Sequence, residues 1–245
     1  MKTSSRNSGR RPTEPASRTP RLPRLTSRTS LVGRDSSNSP RSSPSKDSGS
    51  SRDRVFILGI DPGMARTGTA GLLVVNGFYG EKEILSLFSF VPKNRQDFVQ
   101  VILDRSEGLV REPHEFVVIE EPYYNRMNPK GYATQAAMVA VLEYALSDMS
   151  HGGLDVRGDR RQIFRVTPAQ ARTSVGCPEV RKNKGPVDPH ERVRWKKQQV
   201  RDGLYHIFGK EKLDAALAME KSLSGKEACC DALAIAYAGW ILNRD

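Results

Sequence analysis

Cysteine is scarce in this chain. Three residues in 245, Cys177, Cys229 and Cys230, form an odd set with two adjacent thiols and no Cys-x-x-Cys spacing. That pattern argues against a structural zinc or a disulfide framework and leaves buried, reduced thiols as the reading. Long apolar runs are also missing: none approaches the roughly 18 residues a membrane-spanning helix needs, so no membrane segment is expected. Large apolar residues are nearly absent from residues 1–54, which hold 15 Ser, 11 Arg and 6 Pro. Such a stretch cannot bury enough surface to offset the entropy of ordering, and it is expected to be a disordered, low-complexity tail. Its Arg- and Ser-rich, acid-poor composition is shared with organelle transit peptides, but six prolines count against a sustained amphipathic helix. A basic DNA-binding arm is the favoured reading; a transit peptide and an extension from a misplaced start are the others.

Acidic residues are thin in two places. Residues 1–54 carry 13 Lys+Arg against 4 Asp+Glu, a net of +9 out of the chain's +11, which leaves only +2 for residues 55–245. Within that remainder, residues 157–201 again carry 13 basic against 4 acidic residues, so the rest of the domain is about −7. One basic segment beside an acidic remainder suits a polyanionic partner by counterion release, although a run of charge also makes an ordinary solvated face. Residues 55–245 are expected to form one domain of about 190 residues, long enough to bury most of its apolar surface unaided.

Punctuation and periodicity organise that domain. Val55–Ile60 is a short apolar run ending at Asp61-Pro62-Gly63, as a central strand entering a tight turn would be. Thr69–Val75 and Glu83–Val91 read as two more strands of an antiparallel meander. Asn94 caps a helix expected through Val110, with Phe98, Val101 and Ile102 at helical spacing. Phe116–Ile119 is a fourth strand, ended by Glu120-Glu121-Pro122. The Ala-rich stretch Gly131–Met149 is a helix with Met138, Val141, Leu142 and Ala145 on its apolar face. Gln162–Val166 is a fifth strand, and Thr167-Pro168 opens mainly helical sequence through a last helix at about Lys226–Leu242 with Asp231 near its start. A loop rich in Pro, Lys and Arg over 177–190 is expected to be mobile. The succession predicts an α/β fold: a mixed five-stranded sheet with helices on both faces.

Three strings then place a carboxylate at the end of an apolar run: Ile60-Asp61-Pro62-Gly63, Val118-Ile119-Glu120, and Glu227-Ala-Cys-Cys-Asp231. If strands one and four are parallel neighbours, Asp61 and Glu120 reach the same sheet edge. Asp231 could complete the cluster, and Glu227 lies on its face of the helix by the i, i+4 relation. Converging carboxylates repel unless a cation is present. Oxygen donors of this kind suit Mg²⁺, which keeps several waters, and one or two such ions support in-line displacement at phosphorus. Each string alone has a plainer reading: a turn for Asp61, a solvated strand end for Glu120 or Glu121, and a helix-start acid for Asp231.

Taken in order, Gly59-Ile60-Asp61-Pro62-Gly63 with Thr67-Gly68, Val118-Ile119-Glu120, Thr167-Pro168 with Arg172, Lys197-Gln198-Gln199-Val200 and Asp231-Ala232-Leu233-Ala234 resemble the RuvC family of Holliday junction resolvases over roughly residues 55–243. The resemblance implies a ribonuclease-H-like fold, a homodimer, and Mg²⁺- or Mn²⁺-dependent cutting of four-way DNA junctions by paired symmetric nicks, the chemistry of DNA recombination and repair. It places metal-binding acids at Asp61, Glu120 and Asp231. The family's fourth acid falls on Ala228, so Glu227 or Glu121 is the substitute, or the ligand is missing. Basic residues near the scissile phosphate fall on Arg172 and Lys197, and an aromatic that stacks on a junction base falls on Tyr123 or Tyr124. The chain departs from the family in an insertion at about 177–193, whose surroundings add Arg181, Lys182, Lys184, Arg192 and Arg194 to the DNA-contacting candidates.

The other functions the sequence leaves open are a non-catalytic junction-binding protein, suggested by Ala228, and a less selective branched-DNA nuclease of the same fold. An actin-like sugar kinase or ATPase shares the Asp-x-Gly strand end, but it would need a second phosphate-binding Asp-Gly segment and a second lobe. Reduced thiols and no clear secretory signal point to an intracellular setting, bacterial or phage-infected cytoplasm, or an organelle if the tail is a leader.

Overall fold

The structure, a computed structural model, describes residues 54–75, 80–109, 116–124, 128–152, 162–177 and 185–243. The basic tail, apart from Arg54, and the loop residues Arg181, Lys182 and Lys184 lie outside the described residues. Arg54 itself opens the first strand.

Five strands, β1 (Arg54–Asp61), β2 (Thr67–Val75), β3 (Lys82–Phe90), β4 (Phe116–Glu120) and β5 (Gln162–Val166), form one sheet in the order β3-β2-β1-β4-β5. The first three are an antiparallel meander; β4 runs parallel to β1, and β5 runs parallel to β4. This is the expected mixed five-stranded α/β sheet, with helices on both faces. The helices are α1 (Arg95–Leu109), α2 (Pro129–Gly152), α3 (Pro168–Ser174), α4 (Pro189–Phe208), α5 (Lys210–Ala216) and α6 (Leu223–Leu242). No helix among the described residues is long and apolar enough to cross a membrane.

Strand alternation sorts the core into two layers. Leu58 and Ile60 of β1 with Val117 and Ile119 of β4 face α1 and α2, where they meet Phe98, Ile102, Met138, Val139, Leu142 and Leu146. Ile57 and Val118 face the other way and pack under α6, with α3 and α4 outside it and α5 against β3. Each fully buried Leu or Phe contributes about 1.5–3 kcal/mol by leaving water, so the two layers together hold the sheet between them. On α2 the expected apolar position Val141 is instead 43% exposed, because the buried stripe runs through Met138, Val139, Leu142 and Leu146.

Helix ends follow local chemistry. Asn94 Oδ1 accepts from Asp97 N at 2.9 Å, which caps α1. Thr167 caps α3 through a reciprocal pair with Gln170, and Pro168 occupies the first turn. Asp188 caps α4 by accepting from the amides of His190 and Glu191. Ser222 Oγ accepts from Gly225 N at 3.0 Å, so α6 begins at Leu223, earlier than Lys226. Asp231 therefore sits two turns inside its helix rather than near the start, and the helix-dipole reading of that residue falls.

α6 is apolar nearly all round, which is why it is sandwiched between the sheet and α3 and α4 rather than lying on the surface. Two glycines let it down onto the sheet. A Cβ at Gly68 would collide with the Ala228 carbonyl, and one at Gly59 with the Ala232 carbonyl and the Ala236 amide. Because Gly68 pairs with Asp61 across β1 and β2, the helix touches down beside that carboxylate.

Candidate active site

Parity places the first two acids. Asp61 shares its strand face with Ile57 and Gly59, and Glu120 shares its face with Val118, so both carboxylates project toward α6. The parallel register sets Ile60 opposite Ile119, which brings the two strand ends level. The turn beyond Asp61 is held from two sides: Thr67 Oγ1 donates to Gly63 O at 2.9 Å, and Gln135 Nε2 of α2 donates to Pro62 O at 3.0 Å. The Thr67-Gly68 part of the motif thus has two physical jobs, closing the turn and admitting the helix.

Asp231 is the single charged residue in α6 after Glu227. An acid in so apolar a helix is costly unless it faces a polar site, and Asp231 does. It lines a cleft of roughly 180 Å³ together with Glu120, Pro168, Arg172, Lys196 and Lys197.

The charges of the three acids bear on one another. Burial, then the charges of Glu120 and Asp231, push the Asp61 carboxyl well above its usual range, and Lys197 works the other way. Glu120 is raised by burial and by Asp231, against a hydrogen bond with Asp61 and the charge of Arg172, both of which lower it. Asp231 is raised by burial; Lys197 and Arg172 lower it and Glu227 raises it. Burial opposes the charge on Lys197, but Asp231 and Glu227 outweigh it and the ammonium is held above its usual range. Its Nζ lies 2.9 Å from Glu227 Oε2 and 3.6 Å from Asp231 Oδ2.

Among the described residues, no three His, Cys, Asp or Glu side chains are already disposed as a metal cage. The donor set still fits a hard divalent cation. All its atoms are carboxylate oxygens, the burial and mutual charge that raise Asp61 and Glu120 outweigh Lys197 and Arg172, and Mg²⁺ is commonly held by one or two carboxylates with water and phosphate completing its shell. Asp61, Glu120 and Asp231 are the residues that would hold it.

Of the other expected site residues, Arg172 closes one wall of the cleft from the last turn of α3. Glu121 is exposed, on the opposite side of the strand from Glu120, and its charge acts on Arg165, so it does not join the acids. Tyr123 and Tyr124 are 71% and 56% exposed, which removes the core-packing reading of either ring. Arg194 stands exposed in the second turn of α4, and Arg192 spends its Nε on Pro186 O at 3.0 Å; neither lines the cleft. Lys196 does line it, a residue outside the sequence motifs. Neighbouring lysines on a helix point about 100° apart, and only the docking of α4 against α6 shows that both reach the cleft. All three cysteines are buried free thiols, as expected, and burial pushes Cys229 and Cys230 up to about 12, far from reactive.

No protein-family model and no curated protein matches the chain. Among solved structures, RuvC of T. thermophilus in complex with a Holliday junction substrate is similar at 17% identity and a TM-score of 0.47, over 75% of this chain and 92% of that one. The yeast mitochondrial Holliday junction resolvase Ydc2 is similar at 12% identity and a TM-score of 0.46, over 75% and 77% of the two chains. Fowlpox virus resolvase in complex with Holliday junction DNA is similar at 13% identity and a TM-score of 0.42, over 77% and 100%.

Proposed function

We propose that this protein is a divalent-metal-dependent endonuclease that resolves Holliday junctions by paired nicks. The observation that carries the reading is that the charges of Asp61, Glu120 and Asp231 bear on one another beside a cleft lined by Glu120, Asp231, Arg172, Lys196 and Lys197. Acids alone would repel a phosphodiester, and bases alone would bind one without cutting it. An acidic floor beside a basic wall is what hydrolysis of a bound phosphodiester requires.

A bound Mg²⁺ or Mn²⁺ would supply a more acidic attacking water and offset charge on the scissile phosphate. The chain does the rest. Arg172, Lys196 and Lys197 seat the phosphate and stabilise the negative charge that grows on its oxygens in the transition state. Asp61 and Glu120 would hold the metal, and the proton the attacking water gives up passes to solvent, from which the O3′ leaving group takes one. The water oxygen bonds to phosphorus, the bond from phosphorus to O3′ breaks, and the products are a 5′-phosphate and a 3′-hydroxyl. Tyr123, held out in solvent just past Glu120, stacks on a base unpaired at the junction.

Paired symmetric nicks call for two copies related by a twofold axis. The outward face of α2 favours this, since Ala133, Ala140, Val141 and Tyr144 are exposed at helical spacing and Tyr144 is 75% exposed. The decisive measurement is cleavage of a synthetic four-way junction against a matched linear duplex in Mg²⁺, with nick positions mapped. Cutting of the junction should be faster by at least about 100-fold, with symmetric nicks, and Asp61→Asn should lower cutting by about 1000-fold or more while leaving junction binding intact. Equal cutting of linear and branched DNA would leave a nuclease but remove the resolvase. Tight junction binding with no cutting in Mg²⁺ or Mn²⁺ would make the chain a junction-binding protein.

A further inference from the structure

We infer that Glu227 is the positioning residue for Lys197, holding its ammonium at the rim of the cleft as an ion-paired arm, and is not a fourth metal ligand in place of the acid that Ala228 lacks. The inference rests on the nuclease reading of the same site.

Three observations converge on it. Lys197 Nζ is nearer to Glu227 than to Asp231, 2.9 Å against 3.6 Å, and the three side chains are 35%, 30% and 33% exposed, so the pair lies at the cleft's mouth. Secondly, the charges acting on Asp61 are Glu120, Asp231 and Lys197, and those acting on Glu120 are Asp231 and Arg172. Glu227 acts instead on Lys197 and Asp231. Thirdly, one turn before Asp231 it is the Ala228 backbone that meets the sheet at Gly68, while Glu227, the next residue round the helix, meets α4.

The chemistry explains why such an arm is needed. A lysine ammonium sits on a flexible four-carbon stem, and without a partner of its own it settles on the nearest carboxylate. Here that is Asp231. Glu227 gives Lys197 a separate counter-charge, which leaves Asp231 available to a metal and keeps the ammonium where a phosphate oxygen arrives.

The test uses full-length protein carrying Glu227→Gln, Lys197→Met, or both, each checked for an unchanged melting temperature. Two quantities are read: junction-cleavage kinetics, and Mn²⁺ affinity by calorimetry without DNA. With Glu227→Gln, kcat should fall about tenfold while KM stays within about threefold. Measured in the Lys197→Met background, where no ammonium competes for Asp231, Glu227→Gln should leave Mn²⁺ affinity within about threefold, and in the wild-type background Glu227→Asp should recover part of the rate. The double variant should cut no more than about threefold slower than Lys197→Met alone, since the two residues act as one unit. An unchanged kcat, a larger loss of Mn²⁺ affinity, or full additivity of the two substitutions overturns the inference. If the wild-type protein cuts no DNA, the nuclease reading fails, and the Mn²⁺ titration alone decides whether Glu227 is a ligand. If the wild-type protein binds no Mn²⁺, both fall together.

Discussion

The acids carried by the sheet and those carried by the helices join one charged cluster by different routes. Asp61 and Glu120 are strand ends whose position follows from two short-range rules, side-chain alternation and the parallel register of β1 with β4. Asp231, Glu227, Lys197 and Arg172 sit on three helices, and nothing local to those helices aims them at the strand ends. Their placement depends on how far α6 descends onto the sheet, which Gly59 and Gly68 decide, and on how α4 then leans against α6. The sheet half is specified by pairing and the helix half by packing, so the two should fail differently.

The largest effect expected from that difference is at Gly68. Gly68→Val would put side-chain atoms where the Ala228 carbonyl now lies, and since the obstacle is backbone, the helix must lift. A loss of about 3 kcal/mol or more in unfolding free energy is expected, as for a severely overpacked core site, with cutting lost because Asp231 moves off the pair. Denaturant unfolding measures the first and junction cleavage the second. Asp61→Asn is the contrast: it should abolish cutting with the fold intact. A Gly68→Val protein that keeps wild-type stability and wild-type cutting would break the comparison.

A middle-sized effect separates the halves by pH. The carboxyls of Asp61, Glu120 and Asp231 are raised in the folded protein above their ordinary values, 3.8 for Asp and 4.5 for Glu. A raised acid keeps its proton in the folded state after the unfolded chain has lost its own. Its stabilising contribution is therefore complete below the ordinary value and is lost as pH rises through the raised one. Metal-free protein should melt at lower temperature as pH climbs from about 4 toward neutrality, and Mg²⁺ or Mn²⁺ should restore the loss. Asp61→Asn, which removes one charge and keeps a hydrogen-bond donor for Glu120, should raise the metal-free melting temperature at neutral pH. Thermal melts across pH with and without Mn²⁺ check all three; an Asp61→Asn protein that melts lower than wild type at pH 7 would show that the three charges do not strain the fold.

The same division separates what is legible in the amino-acid order from what is not. All five strands and the placement of Asp61 and Glu120 can be read there because apolar alternation and the breakers Asp-Pro-Gly and Glu-Glu-Pro are local signals. The start of α6 cannot, since Ser222-Leu-Ser-Gly225 reads as loop chemistry until Ser222 is seen capping the helix and Glu220 is seen accepting from Ser222 N and from Ser89 Oγ. Val141 falls on the wrong stripe because Met138 and Leu142 allow two apolar faces on α2, and only the sheet beneath selects one. Lys196 and the pairing of Glu227 with Lys197 are hidden for one reason: side-chain partners across two helices depend on a docking angle that no spacing within either helix records.

The smallest effect tests where the sheet half ends. Beyond Glu120 the chain presents two adjacent tyrosines that the sequence could not rank, and the structure treats them differently. Tyr124 packs edge-on against Tyr132 of α2, with ring centroids 5.3 Å apart, while Tyr123 is 71% exposed. An edge-to-face pair is worth about 0.5–1.5 kcal/mol, so Tyr124→Ala should lower stability by about 1 kcal/mol and disturb cutting only through that loss. Tyr123→Ala removes no such packing and should leave unfolding unchanged. If its ring stacks on a junction base, a contact worth about 1–3 kcal/mol, the substitution should weaken junction affinity or cutting by about tenfold, and Tyr123→Phe should restore it because stacking needs the ring and not the hydroxyl. A Tyr123→Ala protein with wild-type junction affinity and rate would confine the strand-borne half of the site to its two carboxylates.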